Sequence, residues 1–213
     1  PYRWRPMSFE VDGVTYMNER ATATQQTGFW MVGQARPGKV GILWFGVDDA
    51  ATSCLTPIYC NTTEVPQCFA ENNGSSMLEI GDDSAFWVFN RVTNFAYMRY
   101  DMISADIRKV VDKWENTMLE RVAEVDARVA NLSAKNQRRA LTSFSTTTAQ
   151  SMFESWKRLD KYLLIKYVDG NVKSEHKDVL SYVIDGNASA EVTVTVEKNR
   201  QTVEATIRHE GHF

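Results

Sequence analysis

Between Gly81 and Gly170 the chain runs for 88 residues without a glycine or a proline. These two residues most readily end a helix or force a turn, so a stretch this long without either predicts nearly continuous helix. The first hundred residues read the opposite way. They hold 16 of the 24 aromatics, all 5 prolines and 8 of the 11 glycines. Turn signals there recur about every ten residues, the rhythm of a strand-rich region. The chain therefore divides into a strand-rich part at 1–82, a helical part at 83–170 and a tail at 171–213.

Strands are expected near Met7–Phe9 and Val14–Tyr16, joined at Asp12-Gly13. Asp-Gly suits a type I′ hairpin, which needs positive φ at both central positions. Further strands are expected near Thr22–Gln34 and Val40–Val47, joined across Pro37-Gly38. Residues 50–81 carry Pro57, Pro66, three cysteines and Asn72-Asn73-Gly74, and read as an irregular excursion. Asp83-Ser84 is a suitable helix start, since a short polar side chain can cap the free N–H groups there. A stripe then runs Ile103, Ile107, Val110, Trp114, Met118, Val122, Val125, Val129, Leu132, in steps of three and four. That spacing is one face of a helix. A second helix is expected from about Lys135 to Tyr167, with Met152, Trp156, Leu159, Leu163 and Tyr167 on its buried side and a hinge at 131–136. From Ala190 to Ile207 the pattern alternates around Lys198-Asn199-Arg200, as in a terminal hairpin. Strands, then helices, then strands predict an α+β architecture with antiparallel strands.

Charge and composition exclude several functions. With 27 acidic and 24 basic side chains the net charge is −3, which leaves no basic footprint for nucleic acid. No apolar run is long enough to span a bilayer. Phosphate-loop, metalloprotease-helix and nucleophile-elbow motifs are absent. The start, Pro1-Tyr2-Arg3-Trp4-Arg5-Pro6, has neither Met nor the character of a signal peptide, and is expected to be the cut end of a longer protein.

Few residues stand out as chemical candidates. Cys54, Cys60 and Cys68 have spacings that fit no zinc motif; buried thiols, or one disulfide and a free thiol, are both consistent with them. Asp48-Asp49 follows the apolar run Ile42–Val47 directly. Adjacent residues of a strand point to opposite faces, so one of the two acids is expected to aim at a site. The pair is read as a solvated strand end, as a cap on residues 50–53, or as an acid that binds an amine or orients an Arg. Gln25 and Gln26 sit in an aromatic strand where Gln is unfavourable, and a buried amide needs partners. Arg20, just upstream, is suited to a carboxylate. The alternative for Arg20 is an ion pair that only holds the fold. No metal and no cofactor is called for.

Four blocks carry a resemblance: YRWRPM (2–7), NERATATQQTGFWMVGQAR (18–36), GILWFGVDDAATSCLTPIYC (41–60) and DSAFWVFNRVTNFAYMRYDMISADI (83–107). Together they resemble the dipeptidase A-type cysteine peptidases, densely over about residues 1–115. Leu55 departs from that pattern, which would place an aromatic there. The resemblance implies an N-terminal-nucleophile hydrolase, whose sheets pack between helices as an α-β-β-α sandwich. It implies a cysteine at the mature N-terminus whose own amino group is the general base, dipeptides as substrates, and no metal. Pro1 and the three internal cysteines do not fit that role. The chain is then expected to be the C-terminal portion of such an enzyme, with the nucleophile upstream and the N-terminal part of the same polypeptide as its partner. Arg20, Gln25, Gln26, Asp48 and Asp49 would be wall residues of the substrate site.

A second class of function is a non-catalytic module that binds peptide or carbohydrate on Trp30, Trp44, Phe69 and Trp87, since aromatics often line such sites. Exposed tryptophans would favour it. Self-association is left open. The cysteines and four Asn-X-Ser/Thr sequons, at Asn61, Asn73, Asn131 and Asn187, favour an exported protein over a cytoplasmic one.

Overall fold

The computed structural model describes residues 8–17, 22–70, 75–176, 179–184, 188–197 and 200–206, with side chains through residue 173. The described elements are mixed, antiparallel strands and three helices, as an α+β chain requires. Contacts divide it into two compact units, Pro1–Leu159 and Asp160–Phe213.

The first unit opens with a hairpin of β1 (Ser8–Val11) and β2 (Val14–Met17). Asp12 and Gly13 have φ of 50° and 76°, the two positive values that the turn demands. A three-stranded antiparallel sheet follows, in the order β3 (Phe29–Gln34), β4 (Ile42–Val47), β5 (Thr56–Tyr59). Two features differ from the sequence reading. The expected strand from Thr22 begins only at Phe29. The excursion at 50–81 contains β5, paired with β4 from Ile42↔Tyr59 to Phe45↔Thr56. Pro57 disguises that strand, and is tolerated because β5 lies at the edge of this sheet.

The run without glycine or proline is helical, in three pieces: α1 (Ala85–Met98), α2 (Tyr100–Val129) and α3 (Ala134–Tyr167). Ser84 is the residue that precedes α1, although its side chain makes no capping bond. Arg99 separates α1 from α2 with φ −145° and ψ 60°. The helix end closes by a bond from Arg99 N–H to the Ala96 carbonyl at 3.2 Å, and Ile103 N–H restarts the ladder on the Arg99 carbonyl at 3.0 Å. No sequence signal marks that break.

One sheet face and two helices make the core. Ile42, Trp44 and Tyr59 pack with Met118, Val122, Val125 and Val129 of α2 and Leu141 and Phe144 of α3. The α2 stripe lies where the spacing placed it, with three shifts: Val111 is buried and Val110 half-buried, Trp114 is half-buried, and Leu132, beyond the helix, is 42% exposed. At the rim of this core Arg36 meets Asp126 at 2.5 Å, and Tyr59 Oη donates to the other Asp126 oxygen at 2.8 Å. Arg36 also donates to the Val40 carbonyl through Nε at 2.9 Å. The pair is nearly buried and fully hydrogen-bonded, the condition under which a buried ion pair recovers its desolvation cost. All five apolar positions expected on α3 are buried, and Trp156 stacks on Phe89 of α1 with ring centroids 4.4 Å apart.

The second unit carries a four-stranded antiparallel meander, β6 (Val172–His176), β7 (Val179–Ile184), β8 (Ala188–Glu197) and β9 (Arg200–Thr206). The expected terminal hairpin is its β8–β9 pair, in register from Glu197↔Arg200 to Glu191↔Thr206.

Placing a carboxylate in the α2 stripe tests this packing. Val122→Asp buries an uncompensated charge and is expected to lower unfolding stability by about 3 kcal/mol or more. A denaturant melt coinciding with that of the parent would mean that the stripe is misassigned.

Candidate functional site

The polar cluster of this chain lies where β4 ends. Asp48 N–H donates to the Gly28 carbonyl at 3.0 Å, one step beyond the last β3–β4 pair, Phe29↔Val47. The chain then turns at Asp48, whose φ is 65°, a left-handed conformation that Asp tolerates better than most residues. That turn abolishes the strand alternation on which the sequence expectation rests. Instead of pointing to opposite faces, Asp48 and Asp49 are both fully buried, and both engage α1.

Their partners lie seven residues, about two helical turns, apart on α1. Asn90 Nδ2 donates to Asp48 Oδ1 at 3.1 Å, and Tyr97 Oη donates to Asp49 Oδ2 at 2.6 Å. Between them, Thr93 Oγ1 lies 2.7 Å from Thr52 Oγ1. Asn94 Nδ2 holds the Asn90 side chain through its Oδ1 at 3.1 Å. Asn90, Thr93 and Tyr97 are the residues that sequence reasoning missed. Their signal is present: polar groups at i, i+3 and i+7 inside a helix whose neighbours Val88, Phe89, Val92 and Ala96 are apolar.

The two acids differ in what remains open. Asp49 Oδ1 accepts the Ala51 N–H at 2.9 Å and its carbonyl accepts the Thr52 N–H at 3.0 Å, so Asp49 caps the following turn with both oxygens engaged. The capping alternative thus describes Asp49. Asp48 Oδ2, although buried, accepts no hydrogen bond from a described residue. Burial, with a smaller push from the Asp49 charge, raises the Asp48 carboxyl to about 6, against hydrogen bonding from the Thr93 and Asn90 side chains and the Asp49 backbone, which lowers it. Among the described residues no basic side chain pairs with either acid.

Gln25 and Gln26 do not lie on a strand. Residues 24–28 form a turn rather than a strand: Thr27 N–H donates to the Thr24 carbonyl at 2.9 Å and Gln26 N–H to Thr24 Oγ1 at 3.0 Å. Thr24 competes with the ladder for backbone donors, as threonine at a turn often does. Gln25 is buried with its Oε1 unsatisfied, whereas Gln26 is exposed. Arg20 lies outside the described residues.

All three cysteines are free thiols. Cys54 and Cys68 are buried; burial raises Cys54 well above its usual range and Cys68 to about 12, both far from the thiolate. Cys60 is exposed. No three His, Cys, Asp or Glu side chains converge among the described residues as a metal site would need.

The aromatics named for a stacking surface are committed internally. Trp44 is in the core and donates to Gln34 Oε1 at 2.9 Å. Trp87 donates to the Ser76 carbonyl at 3.0 Å, and Phe69 meets Phe45 edge-on. Trp30 crosses over Gly46 to reach Ser53 Oγ at 2.7 Å. A Cβ at Gly46 would come within 2.6 Å of that indole nitrogen, so glycine is required there.

Asp48 makes stability depend on pH. Its folded-state value lies above its ordinary one, so the folded protein holds this proton more tightly than the unfolded chain does. The contribution is therefore full below about pH 4 and is lost as the pH rises toward and past 6. Asp48→Asn is expected to remove about 2–3 kcal/mol of this loss between pH 4 and pH 7. Parallel stability–pH curves for variant and parent would contradict the assignment.

Comparison with known proteins adds one match. A search of curated proteins returns none. The model of peptidase family C69 matches residues 4–113, more than half of the chain. The matched span holds the β1–β2 hairpin, the β3–β5 sheet, α1, and the whole Asp48–Asp49 cluster with its partners. The chain belongs to peptidase family C69.

Proposed function

We propose that the chain is the C-terminal portion of a dipeptidase that hydrolyses the amide bond of dipeptides through a cysteine nucleophile supplied from outside residues 1–213. The observation that carries this reading is the buried acid pair at the end of β4, inside the family-matched span, with one carboxylate oxygen unsatisfied. Buried acids with perturbed titration gather at functional sites, because a lone structural carboxylate is costly to bury. The state of Cys54 and Cys68 supports an external nucleophile: both are internal, buried and held as thiols.

The chemistry would run in two stages. The thiolate adds to the substrate carbonyl, and the amino group of the same cysteine takes the thiol proton. Oriented N–H donors stabilise the oxyanion. Collapse of the tetrahedral adduct breaks the C–N bond, and the proton passes to the departing amine. Water then cleaves the thioester and releases the second amino acid.

A dipeptide presents a free ammonium and a free carboxylate. We assign the ammonium to Asp48, because Asp49 has both oxygens engaged, and the carboxylate to Arg20, whose fork can hold both oxygens. Gln25, buried with a free acceptor on the segment that leads into Gly28, is assigned to the same wall. Its neighbour Gln26 is left out, being exposed on the turn. The stacking-module alternative loses its footing, since none of its four aromatics stands exposed.

The purified 213-residue chain is expected to show no dipeptide hydrolysis, and the same chain made with its upstream sequence is expected to hydrolyse dipeptides until treated with iodoacetamide. Iodoacetamide-sensitive turnover by the 213-residue chain itself would overturn the external nucleophile. In the complete enzyme, Arg20→Ala should cost about 2–4 kcal/mol in kcat/KM on free dipeptides, and far less on substrates with an amidated C-terminus. Equal losses on both substrates would mean that Arg20 holds the fold.

A further inference from the structure

A cavity of about 560 Å³ lies on the N-terminal third of α3. Lys135, Arg138, Arg139 and Thr142 line it from the helix, and Thr63 and Glu64 line it from the loop after β5. The helical spacing of three, four and seven residues puts the four α3 side chains on one face. The loop is bolted to that face: Thr63 N–H donates to Thr142 Oγ1 at 3.2 Å, and the two hydroxyls lie 3.5 Å apart. Thr142 is itself buried, so the floor of the cavity is fixed.

The charge in this cavity is unbalanced. Three cations face a single acid, Glu64, and none of the three cations is in an ion pair with a described residue. The first turn of α3 contains no acidic residue to offset its positive end, and cations there work against the helix dipole. Folding gains nothing visible from holding Lys135, Arg138 and Arg139 together at this place. Ala134 is the one apolar residue in the lining, so the cavity suits a hydrophilic ligand. Its volume falls among small-molecule sites rather than single-ion sites.

We infer that this groove binds a small ligand through a dianionic oxyanion group, with the Arg138 and Arg139 guanidinium forks and Lys135 as its counter-charge. Phosphate and paired carboxylates share that chemistry, because a planar fork can match either.

The test is a titration of the 213-residue chain with inorganic phosphate and, separately, with succinate, at ionic strength held constant with chloride. The readouts are calorimetry and the shift in melting temperature, since a ligand that binds only the folded state raises it. Saturable binding of at least one anion is expected. Tighter phosphate points to a phosphoryl ligand, and tighter succinate to a dicarboxylate. The exposed pair Arg138→Ala/Arg139→Ala should weaken binding at least tenfold, Arg138→Lys/Arg139→Lys should retain part of it, and Arg128→Ala on α2 should leave it unchanged. The inference is overturned if neither anion binds saturably, or if the alanine pair, shown folded by its melt, binds as the parent does. It is also overturned if Arg128→Ala weakens binding as much as the alanine pair, because the effect would then be one of net charge.

Discussion

Two carboxylates withdrawn from water at one place, with no described cation to balance them, are the constraint around which the first unit is arranged. Ionised groups of this kind are costly to bury unless hydrogen bonds replace their hydration. Asn90 and Tyr97 supply those bonds from α1, and Thr52 with Thr93 adds a third tie across the same seam. The seam thus fixes where α1 lies against the end of β4. It can exist only because the chain turns at Asp48 with positive φ, which swings both acids to the helix.

The seam does not treat its two acids alike. Asp49 is consumed by structure, with one oxygen on the Ala51 N–H and the other on Tyr97. Asp48 is left with an empty acceptor and a carboxyl lifted to about 6. A fold gains nothing from leaving a buried acceptor open; a site that receives an N–H donor does. The Arg36–Asp126–Tyr59 network at the opposite end of β4 makes the contrast, since there charge and hydrogen bonds are balanced within the protein. One end of the strand is closed, whereas the other keeps a buried acceptor without a described hydrogen-bond partner.

Much of the helical architecture is legible in the sequence, because it depends on periodicity. The Ile103–Val129 stripe, the α3 stripe and the Asp12-Gly13 turn follow from spacing and from backbone preference, and tertiary packing agrees with them. The misses lie where backbone pairing or a local hydrogen bond overrules the preference of the residue. Pro57 argues against a strand, yet an edge position accommodates it. Gln25 and Gln26 continue an apparent strand that Thr24 turns aside through its own hydroxyl. Arg99 breaks a helix with no helix-breaking residue. For the site, the acid pair was visible, but not its direction, since strand alternation ends where Asp48 turns. Asn90, Thr93 and Tyr97 look like incidental polar residues until the seam shows what they hold.

The central claim is that burial holds the Asp48 carboxyl above its ordinary range, with one oxygen left without a described partner. Titration of its carboxyl carbon by nuclear magnetic resonance, in labelled protein and assigned by comparison with Asp48→Asn, measures this directly. The account predicts a midpoint near 6 for Asp48. A midpoint in the ordinary carboxylate range, near 4, would contradict it.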